Sequence, residues 1–232
     1  MMVVYGRQAV REALRGRRSV RRVWATESAA RALGTPGVPV ELASPPEVEA
    51  RAGSSEHQGL CAEVEPYPYA GAAGLLSGPD ALVVALDEVQ DPHNLGAVCR
   101  IAECAGAAGV VIPERRAAQV TPAVCRASAG AVEHLAIARV RNLADWLGVA
   151  KQVGAWVYGT VLARAVPYDR PDYRGRVVLV LGSEGRGVRP RVAAACDELV
   201  RLPVHGRIES LNVSAAAAAL VYGVLHFRAA GA

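Results

Sequence analysis

An unbroken apolar run, Val177-Val-Leu-Val-Leu181, closes on Gly182 and constrains the fold more than any other feature of the chain. Such runs belong to strands covered on both faces, and strands of that kind sit in α/β sheets. The glycines that follow, Gly182, Gly185 and Gly187, let a backbone turn sharply and approach a ligand closely. Their order, G-S-E-G-R-G, excludes two common readings. A phosphate-binding P-loop needs Gly-Lys-Ser/Thr, and a dinucleotide fingerprint needs G-x-G-x-x-G with an acid closing the next strand. The next strand, Leu199-Val-Arg-Leu-Pro-Val204, closes on no acid. A strand-to-helix turn alone would also account for the glycines. The polar cluster Glu209-Ser-Leu-Asn-Val-Ser214 stands where a long apolar helix begins, and Ser210 and Asn212 are natural helix caps.

A third segment lies far upstream. Leu86-Asp-Glu-Val-Gln-Asp-Pro-His-Asn-Leu-Gly-Ala-Val-Cys-Arg100 again runs from a strand through a polar loop into a helix. Taken in order, D-P-H-N-L-G-A-V-x-R, L-G-S-E-G-x-G and S-L-N-V-S closely resemble the three motifs of the SpoU/TrmH family of SPOUT RNA ribose 2′-O-methyltransferases. Ala127-Ser-Ala-Gly-Ala-Val-Glu-His-Leu135, Tyr5-Gly-Arg-Gln-Ala-Val-Arg-Glu-Ala-Leu14 and His57-Gln-Gly-Leu-Cys-Ala62 extend the likeness over nearly the whole chain. They are similar to the bacterial branch that methylates a guanosine of large-subunit (23S) ribosomal RNA. Cys99 and Ile101 depart from the usual flanks of the motif arginine, where an aliphatic residue and Thr are common.

From residue 81 onward strands and helices alternate. Strands are expected at 81–86, 109–112, 135–140, 155–160, 177–182 and 199–203, and helices near 94–105, 121–129, 142–153, 189–197 and 211–227. Alternation of this kind predicts a mostly parallel sheet with helices on both faces. The first 65 residues read as a small α/β unit, with a helix bearing Arg7, Arg11 and Arg15, strands at 22–25, 38–42 and 59–64, and helices from Ser28 and Ser44. Residues 1–65 are thus expected to form one domain, 66–79 a Pro/Gly/Ala-rich extended linker, and 80–232 a second domain. The resemblance implies a ribosomal-protein-like RNA-binding domain followed by an α/β-knot catalytic domain with a trefoil knot, and a homodimer.

Charge adds a partner class. The net charge of +4 is modest, but residues 1–22 carry seven Arg against one acid, Glu12. A basic surface suits phosphate, so Arg7, Arg11, Arg15, Arg18, Arg21 and Arg22 are candidate RNA contacts. A solvated helix face in a chain that uses Arg almost to the exclusion of Lys explains the same residues without RNA. Five cysteines form no C-x-x-C pair, and the five histidines lack ligand spacing with them, so neither a disulfide frame nor a metal site is expected. Met1 to Arg22 has no apolar secretory core, and the Ala-rich residues 211–225 make a poor membrane span, so a cytoplasmic protein without membrane contact is expected.

The chemistry implied by the resemblance is methyl transfer from S-adenosyl-L-methionine to a ribose 2′-hydroxyl. The cofactor is implied to lie against Gly159-Thr160, Gly182, Ser183 and Gly185, Leu202 to Val204, and Leu211 to Val213. Arg100 is implied as the catalytic residue, with Asn94, Glu184 and Asn212 fixing it and the motif loops, and Ser210 supporting the site. Because a free guanidinium holds its proton to a pKa above about 12, Arg100 needs either a strongly depressing environment or a role in orienting phosphate and hydroxyl. Transfer RNA or another ribosomal position is an alternative target. A non-catalytic ribosome-assembly factor on the same fold is the competing class, although Arg100, Glu184 and Asn212 are all present.

Overall fold

The computed structural model describes residues 1–162, 165–183, 187–208 and 210–230. The elements of its first part are β1 (Met2–Tyr5), α1 (Arg7–Arg15), β2 (Val20–Ala25), α2 (Glu27–Leu33), β3 (Val40–Leu42), α3 (Pro45–Ala52) and β4 (Leu60–Val64). There follow β5 (Leu82–Asp87), α4 (Pro92–Cys104), β6 (Gly109–Pro113), α5 (Pro122–Ala127), β7 (Ile137–Val140), α6 (Leu143–Gln152) and β8 (Trp156–Thr160). The last are β9 (Val166–Pro167), β10 (Val177–Gly182), α7 (Pro190–Ala195), β11 (Glu198–Arg201) and α8 (Val213–Ala230). They gather into two compact units, one of residues 1–68 with 120–134, the other of 69–119 with 135–232.

The first unit holds a four-stranded sheet in the order β1-β4-β2-β3. β1 pairs antiparallel with β4, Tyr5 opposite Cys61. The periodicity of the sequence does not mark β1, because Met2-Val-Val-Tyr5 is short and shows no alternation. α3 begins as its sequence dictates: Ser44 caps it, Glu47 returns a carboxylate to the Ser44 N–H at 2.7 Å, and Pro stands in the first turn. α1 buries Ala9, Val10 and Ala13 and leaves Arg7 and Arg15 exposed, as its spacing requires.

Arg18 departs from its expected place on the basic surface. It is only 5% exposed, and its guanidinium grips Glu133, with Nε 2.9 Å from one carboxylate oxygen and Nη2 on the other. The same guanidinium donates to the Glu65 carbonyl at 3.1 Å. Burial alone would lower the Arg18 pKa, but the bond to Glu133 and the acidic charge around it outweigh burial and raise it. Acids both near and distant in the chain trim the basic surface elsewhere too. Arg22 lies 3.1 Å from Glu41 and 3.5 Å from Glu63, and Glu12 lies 3.0 Å from Arg15 and 2.8 Å from His134.

The second unit is built on a seven-stranded sheet, order β7-β6-β5-β10-β8-β11-β9, with every pairing parallel. β5 and β10 lie side by side at its centre, buried along nearly their whole length, which is why both read as uninterrupted apolar runs. β9 is only two residues long and carries no pattern of its own. The stretch expected as an extended linker is packed in part: residues 72–76 form a 3₁₀ turn that buries Leu75 and Leu76, and Ala70 bridges to Ala138. α8 is longer than expected, at 18 residues, and is apolar and long enough to cross a membrane on those grounds alone. Its Ala217, Leu220, Val221 and Val224 recur at helical spacing and are buried, so one face of the helix packs against the fold.

Candidate active site and cofactor cleft

In an open parallel sheet, ligands gather at the carboxyl ends of the strands, where loops diverge. Here the ends of β8 and β10, residues 202–204 and the start of α8 enclose a cavity of about 260 Å³. Thr160, Gly182, Ser183, Leu202, Val204, Leu211 and Val213, all expected at the cofactor, line it, and so does Ser210. Gly185 and Glu184 lie outside the described residues. The sequence reading missed Leu181, Val188, Ala216 and Leu220 in the lining. Ala216 and Leu220 follow Val213 at helical spacing, a signal that points one face of α8 into the cavity.

Two of the expected cofactor residues also serve the fold. Gly182 is required by the chain itself: a Cβ there would stand 1.9 Å from the Gly187 carbonyl carbon and 2.2 Å from the Val188 nitrogen. The backbone folds back at this point, with Gly187 N–H donating to the Ser183 carbonyl at 2.9 Å and Gly187 at φ 65°. The Thr160 hydroxyl is likewise turned inward, donating to the Val180 carbonyl at 3.0 Å, so Thr160 presents its remaining surface to the cavity.

A second, polar cavity of about 330 Å³ adjoins the first, sharing Ser183 and Val213 as walls. Glu88, Val89, Gln90, Asp91 and Asn94 complete it. Asp91 caps α4 through the His93 N–H at 2.9 Å, and Pro92 follows in the first turn, so the helix starts two residues before its expected position. Asn94 and Asn212, 118 positions apart, meet here: the Asn212 Nδ2 donates to Asn94 Oδ1 at 2.9 Å. Asn212 also caps α8, its Oδ1 accepting from the Ser214 N–H at 2.9 Å and from the Ser214 hydroxyl at 2.6 Å. One amide thus joins the first turns of α4 and α8. Arg100 stands exposed on α4, six residues beyond Asn94, and lines neither cavity.

The donor set fits S-adenosylmethionine. Leu181, Val188, Leu202, Leu211 and Leu220 offer apolar wall for an adenosyl group, and Ser183, Ser210 and neighbouring backbone offer polar partners. Comparison with known proteins identifies the family. Residues 81–222 match the SpoU rRNA Methylase family, and residues 3–70 match the RNA 2′-O ribose methyltransferase substrate binding family. YacO of Bacillus subtilis, described as a TrmH family tRNA/rRNA methyltransferase, is 37% identical over 97% of this chain and 95% of its own. An uncharacterized tRNA/rRNA methyltransferase of Synechocystis is 36% identical over 97% of this chain, which spans 62% of that longer protein. The SpoU methyltransferase AviRb of Streptomyces viridochromogenes, solved with S-adenosylmethionine bound, superposes with a TM-score of 0.84 at 25% identity, covering 99% of this chain and 91% of its own. The chain belongs to the SpoU rRNA methylase family and is an S-adenosylmethionine-dependent RNA methyltransferase.

Proposed function

We propose that the enzyme methylates a ribose 2′-hydroxyl in RNA, that its target is a guanosine of large-subunit 23S ribosomal RNA, and that it works in the cytoplasm as a homodimer. The observation that carries the reading is the pair of adjoining cavities, one apolar and one polar, with the Asn94–Asn212 bond set between the first turns of the helices that wall them. S-adenosylmethionine supplies a methyl already activated by its sulfonium centre. The chain has to hold the hydroxyl in line and keep its charge balanced, and orientation of this kind is worth several kcal/mol, on the order of 7–11 at the limit. In this reading Ser183 and Val213, common to both cavities, border the point where nucleoside and cofactor meet. Asn94 and Asn212 fix Arg100 and the two helix starts, Ser210 supports the site, and Glu184, outside the described residues, keeps the motif-loop role that the family resemblance implies. Arg100 reaches the target from the exposed side of α4 and orients its phosphate and 2′-oxygen.

Arg7, Arg11, Arg15, Arg21 and Arg22 are proposed to meet the RNA backbone, with Arg18 withdrawn from that set by its burial. A second copy of the chain is supported by the apolar side chains left open near the cavity: Leu162 is 62%, Ile208 77% and Leu211 50% exposed. The test is transfer of labelled methyl from S-adenosylmethionine to unmodified ribosomal RNA and to transfer RNA, mapped at nucleotide resolution. One modified guanosine in 23S RNA is the expected result. Label on transfer RNA alone would keep the chemistry and overturn the target.

A further inference from the structure

The wall of the cofactor cavity runs from Gly187 and Val188 straight into Arg189, whose side chain turns back onto the end of β5. There Asp87 is fully buried, paired in register with Gly182 of β10. Asp87 accepts the Arg189 backbone N–H at 2.8 Å on one oxygen, and Nε at 2.9 Å and Nη2 at 2.6 Å on the other. The third guanidinium nitrogen lies 3.1 Å from Oε1 of Glu88, which also faces Arg116 at 3.7 Å. Glu88 is 8% exposed, lines the polar cavity and holds a left-handed backbone at φ 57°. A bulky side chain in that region is costly and persists where surrounding contacts over-determine it, which points to the ion pairs as its anchor.

We infer that Arg189 is a positioning residue for methyl transfer: through Asp87 it fixes the Gly187–Val188 wall of the cofactor cavity, and through Glu88 it fixes the wall of the polar cavity. Neither carboxylate needs to touch the reacting atoms. A carboxylate as buried as Asp87 is tolerated only when paired and hydrogen-bonded, and among the described residues that pairing is supplied by Arg189, just after the cofactor loop. The strand end and the loop are therefore held in one geometry, with two bonds from the planar guanidinium and one from the backbone N–H of the same residue. The inference rests on the reading of the apolar cavity as the S-adenosylmethionine site.

The test uses the full chain and S-adenosylmethionine, with binding by calorimetry and unfolding by temperature measured side by side. Arg189→Met is expected to weaken cofactor binding about tenfold or more and to lower Tm, because it strands a buried carboxylate. Arg189→Lys, which keeps charge but not the planar fork, is expected to recover part of the affinity. The double variant Asp87→Asn with Arg189→Met removes both charges, so Tm should return toward wild type while affinity stays weak. Affinity that recovers in step with Tm, or that never changes by more than about twofold, would overturn the positioning role. Wild-type protein that binds no S-adenosylmethionine would overturn the cofactor reading, and the inference with it.

Discussion

Asn212 spends one side chain on two tasks, and its chemistry separates them. Its carbonyl oxygen caps α8 and its amide nitrogen reaches Asn94. Asn212→Asp keeps an acceptor for the cap but cannot donate to Asn94. The expected outcome is an α8 capped as before, with methyl transfer down about twofold to tenfold, since a part-buried hydrogen bond of this kind contributes about 0.5–1.5 kcal/mol. Thermal unfolding and transfer kinetics on one preparation check both halves. Arg100→Ala is expected to cut transfer by about 10²–10³ with cofactor affinity unchanged, the loss seen when a group that acts on the transition state is removed. Equal losses in affinity and rate would place Arg100 in cofactor binding instead.

The cysteines give a pH dependence of definite sign. Burial pushes the thiols of Cys61 and Cys125 up to about 11 and that of Cys196 up to about 12, from an ordinary value of 9.0. A raised folded pKa means the unfolded chain loses its thiol protons first. Their contribution to stability is whole below pH 9 and is lost as pH rises from 9 through about 11 for Cys61 and Cys125 and about 12 for Cys196. Urea unfolding at pH 8 and pH 10.5 should show the fall, and at pH 8 a thiol reagent should label exposed Cys104 first.

At the scale of the element, α8 carries both fold and site. Leu220 is 2% exposed and lines the apolar cavity, so Leu220→Ala is expected to cost about 2–5 kcal/mol by calorimetry or denaturant unfolding. Gly223, a weak helix former, is explained by its neighbour: a Cβ there would meet the Tyr168 ring at 2.9 Å. The carboxyl end is pinned by Arg228, which donates to the carbonyls of Tyr173, Asp80 and Gly175 at 2.9, 2.7 and 2.6 Å. Elements of this kind were legible in sequence wherever burial imposed a period or a run. β5, β10 and α8 fall in that class, and so does α3 with its Ser-Pro-Pro-Glu start. β1 and β9 were not legible, because strands of four and two residues owe their existence to partners far along the chain. The residues 66–79 misled through composition, since Leu75 and Leu76 anchor what Pro, Gly and Ala suggested was loose.

At the scale of the whole molecule, charge was the property least readable from sequence. A run of arginines announces a sign, but the acids that answer it, Glu133 for Arg18 and Glu41 and Glu63 for Arg22, come from distant positions. The cleft was more legible, because its residues sit at strand ends and helix starts that the motifs mark. The meeting of Asn94 with Asn212 needed the fold. The proposed dimer has its own consequence: Ile208→Asp and Leu211→Asp should shift sedimentation toward monomer, as charges placed in a covered apolar face do.

The reaction itself admits a direct test. Large-subunit ribosomal RNA labelled by the enzyme from S-adenosylmethionine tritiated in its methyl group is hydrolysed in alkali, which cleaves a chain only beside a free 2′-hydroxyl. Label in an alkali-stable dinucleotide that begins with guanosine is the predicted result. Label in mononucleotides would mean that a base is methylated, and would contradict the account of the site.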